Sequence, residues 1–189
     1  MTVLPLAFKL EGKSVLVIGA GTIAVGKAKI LIDAGARVTI IAREQFANMP
    51  KGIEKFEERE YRCGDLRGYA LIISATGDSV LNDRIVEEAH AGGYLLNVVD
   101  DPDRSDFYFT AVHHAGDVVI AVSTNGASPA LAQVVRSLIA QLLPQTLAST
   151  ANRLRHERRV LHDAGKTSEG IDWRSRIQQL LYEETSPPS

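Results

Sequence analysis

The sequence predicts an α/β fold with parallel strands, and two observations carry this prediction. Short apolar runs rich in β-branched residues, at residues 14–18 and 37–42, are typical of strands buried on both faces of a parallel sheet. Between them, residues 22–34 place apolar side chains at helical spacing and are followed by a glycine. A strand, a glycine turn, a helix and a second strand in this order form a βαβ unit.

The same alternation continues to residue 99. Residues 70–75 and 94–99 are predicted strands, and residues 79–91 are a predicted helix that a pair of glycines ends. The charged segment 51–62 predicts at most a short strand after a loop. These elements indicate a doubly wound sheet with helices on its faces.

The pattern changes after residue 100. Two strands are predicted at residues 107–112 and 118–123, and the connection between them holds His113 and His114. We interpret this histidine pair as loop residues rather than metal ligands, because no cysteine or helical histidine partner lies nearby. Three helices are predicted after this hairpin, at residues 128–143, within the arginine-rich residues 151–162, and at residues 171–182.

Composition is that of a soluble globular protein. The chain has 189 residues, 45% of them hydrophobic and 23% charged, with a formal net charge of −2, which excludes a disordered chain and a cationic nucleic-acid binder. The single cysteine, Cys63, excludes a disulfide framework and a cysteine-rich metal site. Because no signal-peptide pattern and no apolar run of about 20 residues is present, we expect a cytoplasmic protein without membrane contact.

The first chemical motif is the turn Gly-Ala-Gly-Thr-Ile-Ala at residues 19–24, between the first strand and the first helix. In a dinucleotide-binding turn, Gly19 permits the tight turn, Gly21 lets the backbone approach a pyrophosphate, and Ala24 keeps the helix close to the sheet. The strand–turn–helix context is the one that this motif requires. The sequence therefore predicts a dinucleotide site at this turn.

The residues after the second and third strands leave alternatives open. The acidic residue that usually holds the adenosine ribose is replaced by Arg43 and Glu44, so Glu44 can hold the ribose of NAD or Arg43 can pair with the 2′-phosphate of NADP. A third alternative is that the Arg43 side chain is solvated and only its backbone touches the adenosine. Thr76 and Asp78 are candidates to line the cofactor crevice, although Asp78 can equally cap the next helix.

The predicted strand at residues 94–99 carries Asn97 and is followed by Asp100, which begins an acidic cluster. A carboxylate at this edge of the sheet can act as a general base. Metal ligation and an ordinary Asp-rich turn are the alternatives. Farther along, residues 123–129 are small and rich in hydroxyl groups, and they can bind a carboxylate at a helix N-terminus or simply cap that helix.

Three motifs occur in order along the chain: the turn at residues 19–24, N-V-V-D-x-P-x-x-S-D-F at residues 97–107, and A-V-S-T-N-G-A-S-P-A-L-A at residues 121–132. Together they resemble the precorrin-2 dehydrogenase family, which also forms the N-terminal module of sirohaem synthases. The resemblance implies a homodimer with a Rossmann-like NAD-binding domain over residues 1–112, a dimerisation region over 113–146, and a small helical domain over 147–189.

The resemblance also implies a reaction, the NAD-dependent oxidation of precorrin-2 to sirohydrochlorin, which some members follow with insertion of ferrous iron. Asp100 is then the catalytic residue. The residues expected to contact NAD are Gly19, Gly21, Thr22, Ile23, Ala24, Arg43, Glu44, Thr76 and Asp78. The residues expected to contact the tetrapyrrole are Asn97, Ser123, Thr124, Ser128, Arg104 and Arg136. No permanent metal site is expected.

Two alternative functions remain at this stage. A chelatase that has lost dehydrogenation would keep Asp100 without binding NAD, and a redox-sensing NAD-binding module would need the glycine turn but not Asp100. The length of 189 residues fits the dehydrogenase module alone, so we expect no fused methyltransferase.

Overall fold

The computed structural model describes residues 3–44, 48–167 and 169–183. The described residues form two compact units, one spanning residues 3–108 and the other beginning at Phe109. The division into three domains made from the sequence stays a prediction.

The first unit is a five-stranded parallel sheet with the strand order β3-β2-β1-β4-β5. Its strands are β1 (Ser14–Ile18), β2 (Arg37–Ala42), β3 (Lys55–Glu58), β4 (Leu71–Ser74) and β5 (Leu96–Val98). Its helices are α1 (Thr22–Asp33), α2 (Ser79–Gly92) and a short 3₁₀ turn, Pro102–Arg104. The strand order reverses direction at β1, so a crevice opens at the carboxyl ends of β1 and β4, where such sheets bind ligands.

The predicted fold class is confirmed, and β1 and β2 have the predicted bounds. Leu16, Ile40 and Ile72 are fully buried, as expected for strands covered on both faces. β5 is shorter than its predicted range, because Gly93 caps α2 in the left-handed conformation and the Tyr94 amide donates to the Ala89 carbonyl. The strand therefore begins only at Leu96.

The second unit begins with an antiparallel hairpin of β6 (Ala111–Ala115) and β7 (Val118–Val122). The prediction that His113 and His114 lie in the connecting loop is wrong. Register pairs Ala115 with Val118, so only two residues form the turn, and Gly116 supplies its positive φ of 59°. The first strand accordingly starts at residue 111 rather than 107 and includes both histidines.

Three helices complete the second unit: α3 (Pro129–Leu142), α4 (Leu147–Asp163) and α5 (Trp173–Glu183). One face of the hairpin packs on α3, with Ala111 and Ala132 buried. The Thr146 and Thr150 hydroxyls donate to backbone carbonyls of α5, and an ion pair between Arg176 and Glu157 (2.6 Å) joins α5 to α4. Among the described residues, no helix is long and apolar enough to cross a bilayer.

Two apolar surfaces of the second unit stay exposed. The first is a stripe along α3 with the spacing of a helix-packing seam, which we call the α3 seam: Leu131, Val134, Leu138 and Leu142. The second is the outward face of the hairpin, which carries Val112 and Val119. Leu142 is 84% exposed.

Candidate active site

Two adjoining cavities lie along the crevice of the first unit. The first, about 520 Å³, extends from the glycine turn over the ends of β1 and β2 toward β3. The second, about 490 Å³, lies between the first turn of α1 and the segment that follows β5. Both are lined by Gly21, Ala75 and Thr76, so the glycine turn stands at the border between them.

The two glycines of the turn have different roles. Gly19 has a φ of 109°, and a β-carbon there would collide with the Ala75 carbonyl group at the end of β4. At Gly21 a β-carbon would meet nothing within 4 Å and would project into open space. Gly21 is also the N-cap of α1 and provides no side-chain cap, so the first amides of α1 are available to an anion.

The predicted contacts next to this turn lie as the motif requires. Ala24 is buried and lets α1 approach the sheet closely, while Thr22 and the half-exposed Ile23 line the second cavity. These residues fit a dinucleotide whose pyrophosphate lies over the start of α1.

Arg43 and Glu44 line the first cavity at the end of β2. The Arg43 guanidinium forms an exposed ion pair with Glu60 at 3.1 Å (Nε to Oε1). Sequence reasoning missed Glu60, since its segment showed no clear periodicity. Glu44 and Glu60 therefore line this cavity together with Arg43, and the lining also includes Asp78, Arg59 and Arg84.

The wall of the first cavity is fixed by a polar network that the sequence did not reveal. Arg59 binds Asp65 through two hydrogen bonds of 2.6 and 3.0 Å, and these bonds raise the pKa of its guanidinium. Burial, followed by a hydrogen bond to Glu88, raises the pKa of Tyr61. Glu88 also accepts from the Gly64 amide at 2.8 Å, so α2 holds this wall in place.

Thr76 and Asp78 line the crevice and also have structural roles. The Asp78 carboxylate caps α2 by accepting from the Leu81 amide at 3.1 Å. The Thr76 hydroxyl donates to Asn82 Oδ1 at 3.1 Å and accepts from the Asp78 amide. Asn82, a lining residue of the second cavity that sequence reasoning missed, also accepts from Ser74 at 2.6 Å.

The aspartates of the acidic cluster after β5 have different roles in the structure. Asp100 is exposed, lines the second cavity and adopts a φ of 60°. Asp101 caps the 3₁₀ turn and pairs with Arg104, whereas Asp106 accepts from the Leu96 amide at 2.9 Å. Within the ranges that the structure describes, no group of three or more potential ligand side chains is arranged to hold a metal.

Asn97 and Arg104 hold the segment that carries Asp100. The buried Asn97 amide donates to the Phe107 carbonyl at 2.9 Å. Arg104 lines the second cavity and pairs with Asp101 and, at 2.6 Å, with Asp83. A contact of either residue with substrate stays a prediction, whereas the hydrogen bond of Asn97 and the ion pairs of Arg104 show how both residues fix the loop.

The remaining predicted residues lie in the second unit. The Thr124 hydroxyl accepts from the Ser128 amide at 3.1 Å, Ser128 caps α3, and Ser123 Oγ accepts from the Asn125 amide at 3.2 Å. Arg136 donates to Gln133 at 2.8 Å, and its Nε is buried without a hydrogen-bond partner in the described structure. The helix-capping alternative for this motif is therefore confirmed, and its role in binding stays a prediction.

Comparisons with known proteins agree with this geometry. Residues 6–111 match a family described as putative NAD(P)-binding, and residues 116–142 match the sirohaem biosynthesis protein central family. A sirohaem synthase from Ectopseudomonas mendocina is 42% identical over 154 residues, which cover 80% of this chain and 33% of that protein. One from Tolumonas auensis is 34% identical and covers 98% of this chain and 37% of its own length. The chain thus spans about a third of these relatives.

Among solved structures, the precorrin-2 dehydrogenase SirC has the same fold. Its TM-score is 0.71 at 23% sequence identity, and the match covers 97% of this chain and 90% of that one.

Substitutions at Gly21 and Gly19 distinguish an effect on NADH binding from an effect on the free energy of unfolding. We expect Gly21→Ala to weaken NADH binding about tenfold or more, because its methyl group enters the border of both cavities and overpacking costs about 1–3 kcal/mol. Fluorescence titration with NADH measures this effect, and urea unfolding should show little change. Gly19→Ala is the comparison variant, in which the free energy of unfolding falls by about 1–3 kcal/mol or more. Wild-type NADH affinity in Gly21→Ala would contradict the assignment.

Proposed function

The chain belongs to the putative NAD(P)-binding family, here continued by the central segment of sirohaem biosynthesis proteins, and we propose that it oxidises precorrin-2 to sirohydrochlorin with NAD. One observation carries the proposal: the second cavity extends from the glycine turn to the exposed carboxylate of Asp100. Thr22 and Ile23 line one side of this cavity and Asp100 lines the other. A cofactor bound at the glycine turn and the Asp100 carboxylate can therefore both contact the same bound substrate.

In the proposed mechanism the substrate loses two hydrogens, one as a hydride and one as a proton. When bound, the nicotinamide supplies the acceptor for a hydride, which carries two electrons from a substrate carbon. The Asp100 carboxylate takes the accompanying proton as a general base. Its exposure in the second cavity gives a bulky substrate access, and the bonded loop from Asn97 to Asp106 keeps the carboxylate in place.

Arginines supply contacts for the carboxylates of the tetrapyrrole. Arg104 lines the same cavity as Asp100 and is held rigidly by Asp101 and Asp83. Arg136, which lies two turns after Ser128 on α3, is a further candidate that the family resemblance suggests, and we propose it as a contact for a substrate carboxylate.

NAD rather than NADP is the cofactor that the first cavity favours. The 2′-phosphate of NADP would add negative charge beside Glu44 and Glu60, and Glu60 already pairs with Arg43. Carboxylates that line the same cavity as a 2′-phosphate oppose its binding.

A second copy of the chain is the partner that the exposed apolar surfaces favour. Monomeric proteins rarely expose contiguous apolar surfaces of this kind, and the α3 seam has the spacing that pairs helices. A twofold-symmetric dimer would cover the same seam in both copies at once.

The catalytic proposal is tested by Asp100→Asn. We expect purified protein with precorrin-2 and NAD to yield NADH and sirohydrochlorin, and the variant to lower kcat about 100-fold or more, since a general base contributes about that much. NADH affinity should stay within about twofold of wild type, because the backbone turn is untouched. Absorbance of NADH and of the macrocycle measures turnover.

The matched control is Asp103→Asn, which removes the same charge from an exposed residue of the same loop and should keep the wild-type rate. Near-wild-type turnover in Asp100→Asn would remove this residue from the mechanism. A wild-type protein that inserts ferrous ion into sirohydrochlorin but forms no NADH would instead be a chelatase alone.

Cofactor choice is tested by Glu60→Gln. Loss of the carboxylate leaves Arg43 to pair with a 2′-phosphate, so the affinity for NADPH relative to NADH should rise about threefold to tenfold at low salt. Competitive fluorescence titration measures the ratio. Glu58→Gln, an exposed position of β3 that does not line the cavity, should leave the ratio unchanged. An unchanged ratio in Glu60→Gln would count against this account.

The dimer is tested by Leu138→Glu. A charge in the centre of the α3 seam should raise the dissociation constant about thirtyfold or more, which is the scale of a central interface residue. Sedimentation velocity over a concentration series measures it. Gln133→Glu adds the same charge to α3 outside the seam and should remain dimeric. A monomeric wild type, or a Leu138→Glu variant that dimerises as wild type does, would refute the proposal.

A further inference from the structure

The arginine-rich part of α4 is a feature that the proposed mechanism does not use. A cavity of about 440 Å³ on this helix is lined by Ala151, Leu154, Arg155, Arg158 and Arg159. These positions recur at intervals of three and four residues, so they share one face of the helix over about two turns. The second unit therefore carries a concave surface with three guanidinium groups, which we call the arginine face.

One of the three guanidinium groups is already held by a carboxylate. Arg155 forms an ion pair with Asp117, which lies in the turn of the β6–β7 hairpin. The neighbouring Gly116 lies close to α4, because a β-carbon on it would approach the Ala148 side chain to 3.0 Å. This contact and the ion pair fix the hairpin turn on the helix, so Arg155 keeps a defined orientation beside the cavity.

The other two guanidinium groups belong to exposed residues. Within the part of the chain that the structure describes, neither Arg158 nor Arg159 forms a hydrogen bond or an ion pair through its side chain. Arg155 and Arg159 lie four residues apart, and like charges at this spacing destabilise a helix. The nearby carboxylate of Glu157 pairs with Arg176 of α5 at 2.6 Å instead. The arginine face therefore carries a positive charge that an anionic ligand would balance.

The residue types on the arginine face indicate the class of ligand. Guanidinium groups bind carboxylates through paired hydrogen bonds, and several of them on one face favour a ligand with several carboxylates. The half-buried Ala151 and Leu154 add apolar surface to the same cavity, which a ring system can cover. These residues lie in the interior of α4, where the backbone amides are bonded within the helix and are not available to a phosphate. A tetrapyrrole with carboxylate side chains has both the ring and the charges.

We propose that the arginine face is a binding site for the polycarboxylate tetrapyrrole, built from residues other than those of the crevice. The choice of a tetrapyrrole rests on the proposed function, in which precorrin-2 is the substrate. Arg158 and Arg159 bind the carboxylates of the ligand, and Leu154 contacts its ring. The site holds the ligand by its periphery and takes no part in hydride or proton transfer.

The binding test follows the arginine side chains by NMR, with the octacarboxylate porphyrin uroporphyrin I as the probe. In protein with ¹⁵N-labelled arginine, the Nε–Hε signals lost in Arg158→Gln and Arg159→Gln identify these two side chains. We expect both signals to shift as uroporphyrin I is added, because a charge-assisted hydrogen bond changes the surroundings of the guanidinium group. The signal of Arg174, an exposed arginine of α5 that does not line this cavity, should not shift.

The affinity is tested by the double variant Arg158→Gln/Arg159→Gln. We expect the dissociation constant, read from the Arg155 signal, to rise about tenfold or more at low salt, since two contacts between charged groups are lost. The variant should be at least as stable in urea unfolding, because repulsion on α4 is relieved. The control Arg67→Gln/Arg174→Gln removes the same charge from exposed residues outside this cavity and should bind within about twofold of wild type.

Two further probes test the class of ligand. Coproporphyrin I has the same ring with half the carboxylates and should bind about fivefold more weakly, because fewer guanidinium groups are engaged. Tripolyphosphate has the charge without the ring and should also bind more weakly. Tripolyphosphate that binds as tightly as uroporphyrin I would show a general anion site and overturn the assignment to a tetrapyrrole.

The remaining outcomes distinguish a failure of this proposal from a failure of the proposed function. Signals of Arg158 and Arg159 that stay in place when uroporphyrin I saturates the protein would overturn the site, as would a double variant that binds the probe like its control. A wild type that does not oxidise precorrin-2 refutes the proposed function, whereas the NMR titration still decides whether the arginine face binds a polycarboxylate tetrapyrrole.

Discussion

The crevice depends on one close approach, that of the turn after β1 to the end of β4. Gly19 makes it possible, since its backbone adopts a conformation that L residues rarely take and a side chain would meet the Ala75 carbonyl. The Gly19 amide also donates to the Ile41 carbonyl at 2.8 Å, which fixes the turn to β2. With β1, β2 and β4 held together here, the start of α1 points its amides over the sheet edge, and both cavities meet at Gly21.

The far side of the crevice is built by side chains that bond to backbone. Ser105 accepts from the Val98 amide and donates to the Asp101 carbonyl, and Asp106 accepts from the Leu96 amide. These bonds fold the segment after β5 back onto the end of the strand. The acidic cluster after β5 therefore has mainly a structural role, because Asp101 and Asp106 hold the loop through hydrogen bonds. Asp100 is the carboxylate of this cluster that lines the second cavity.

Local rules explain what the sequence could predict. The β1–α1–β2 unit and the glycine turn are specified by neighbouring residues, so their bounds were accurate. Glu60 was missed because its ion pair with Arg43 forms only when β3 lies beside β2, and the charged β3 carries little periodicity. His113 and His114 were misplaced because the hairpin register depends on a two-residue turn at Gly116.

The left-handed backbone at Asp100 limits which residues can replace it. Asparagine and glycine adopt this conformation more readily than most residues, whereas alanine and the β-branched residues lose stability there, by about 1–3 kcal/mol where the conformation is strained. An alanine at this position therefore changes the loop geometry and the charge together, and a loss of activity would have two explanations. Asparagine keeps the shape and removes only the charge. We therefore expect few residue types at this position among related proteins. The positive φ imposes this restriction, so it should hold even in a relative that has lost the catalytic activity.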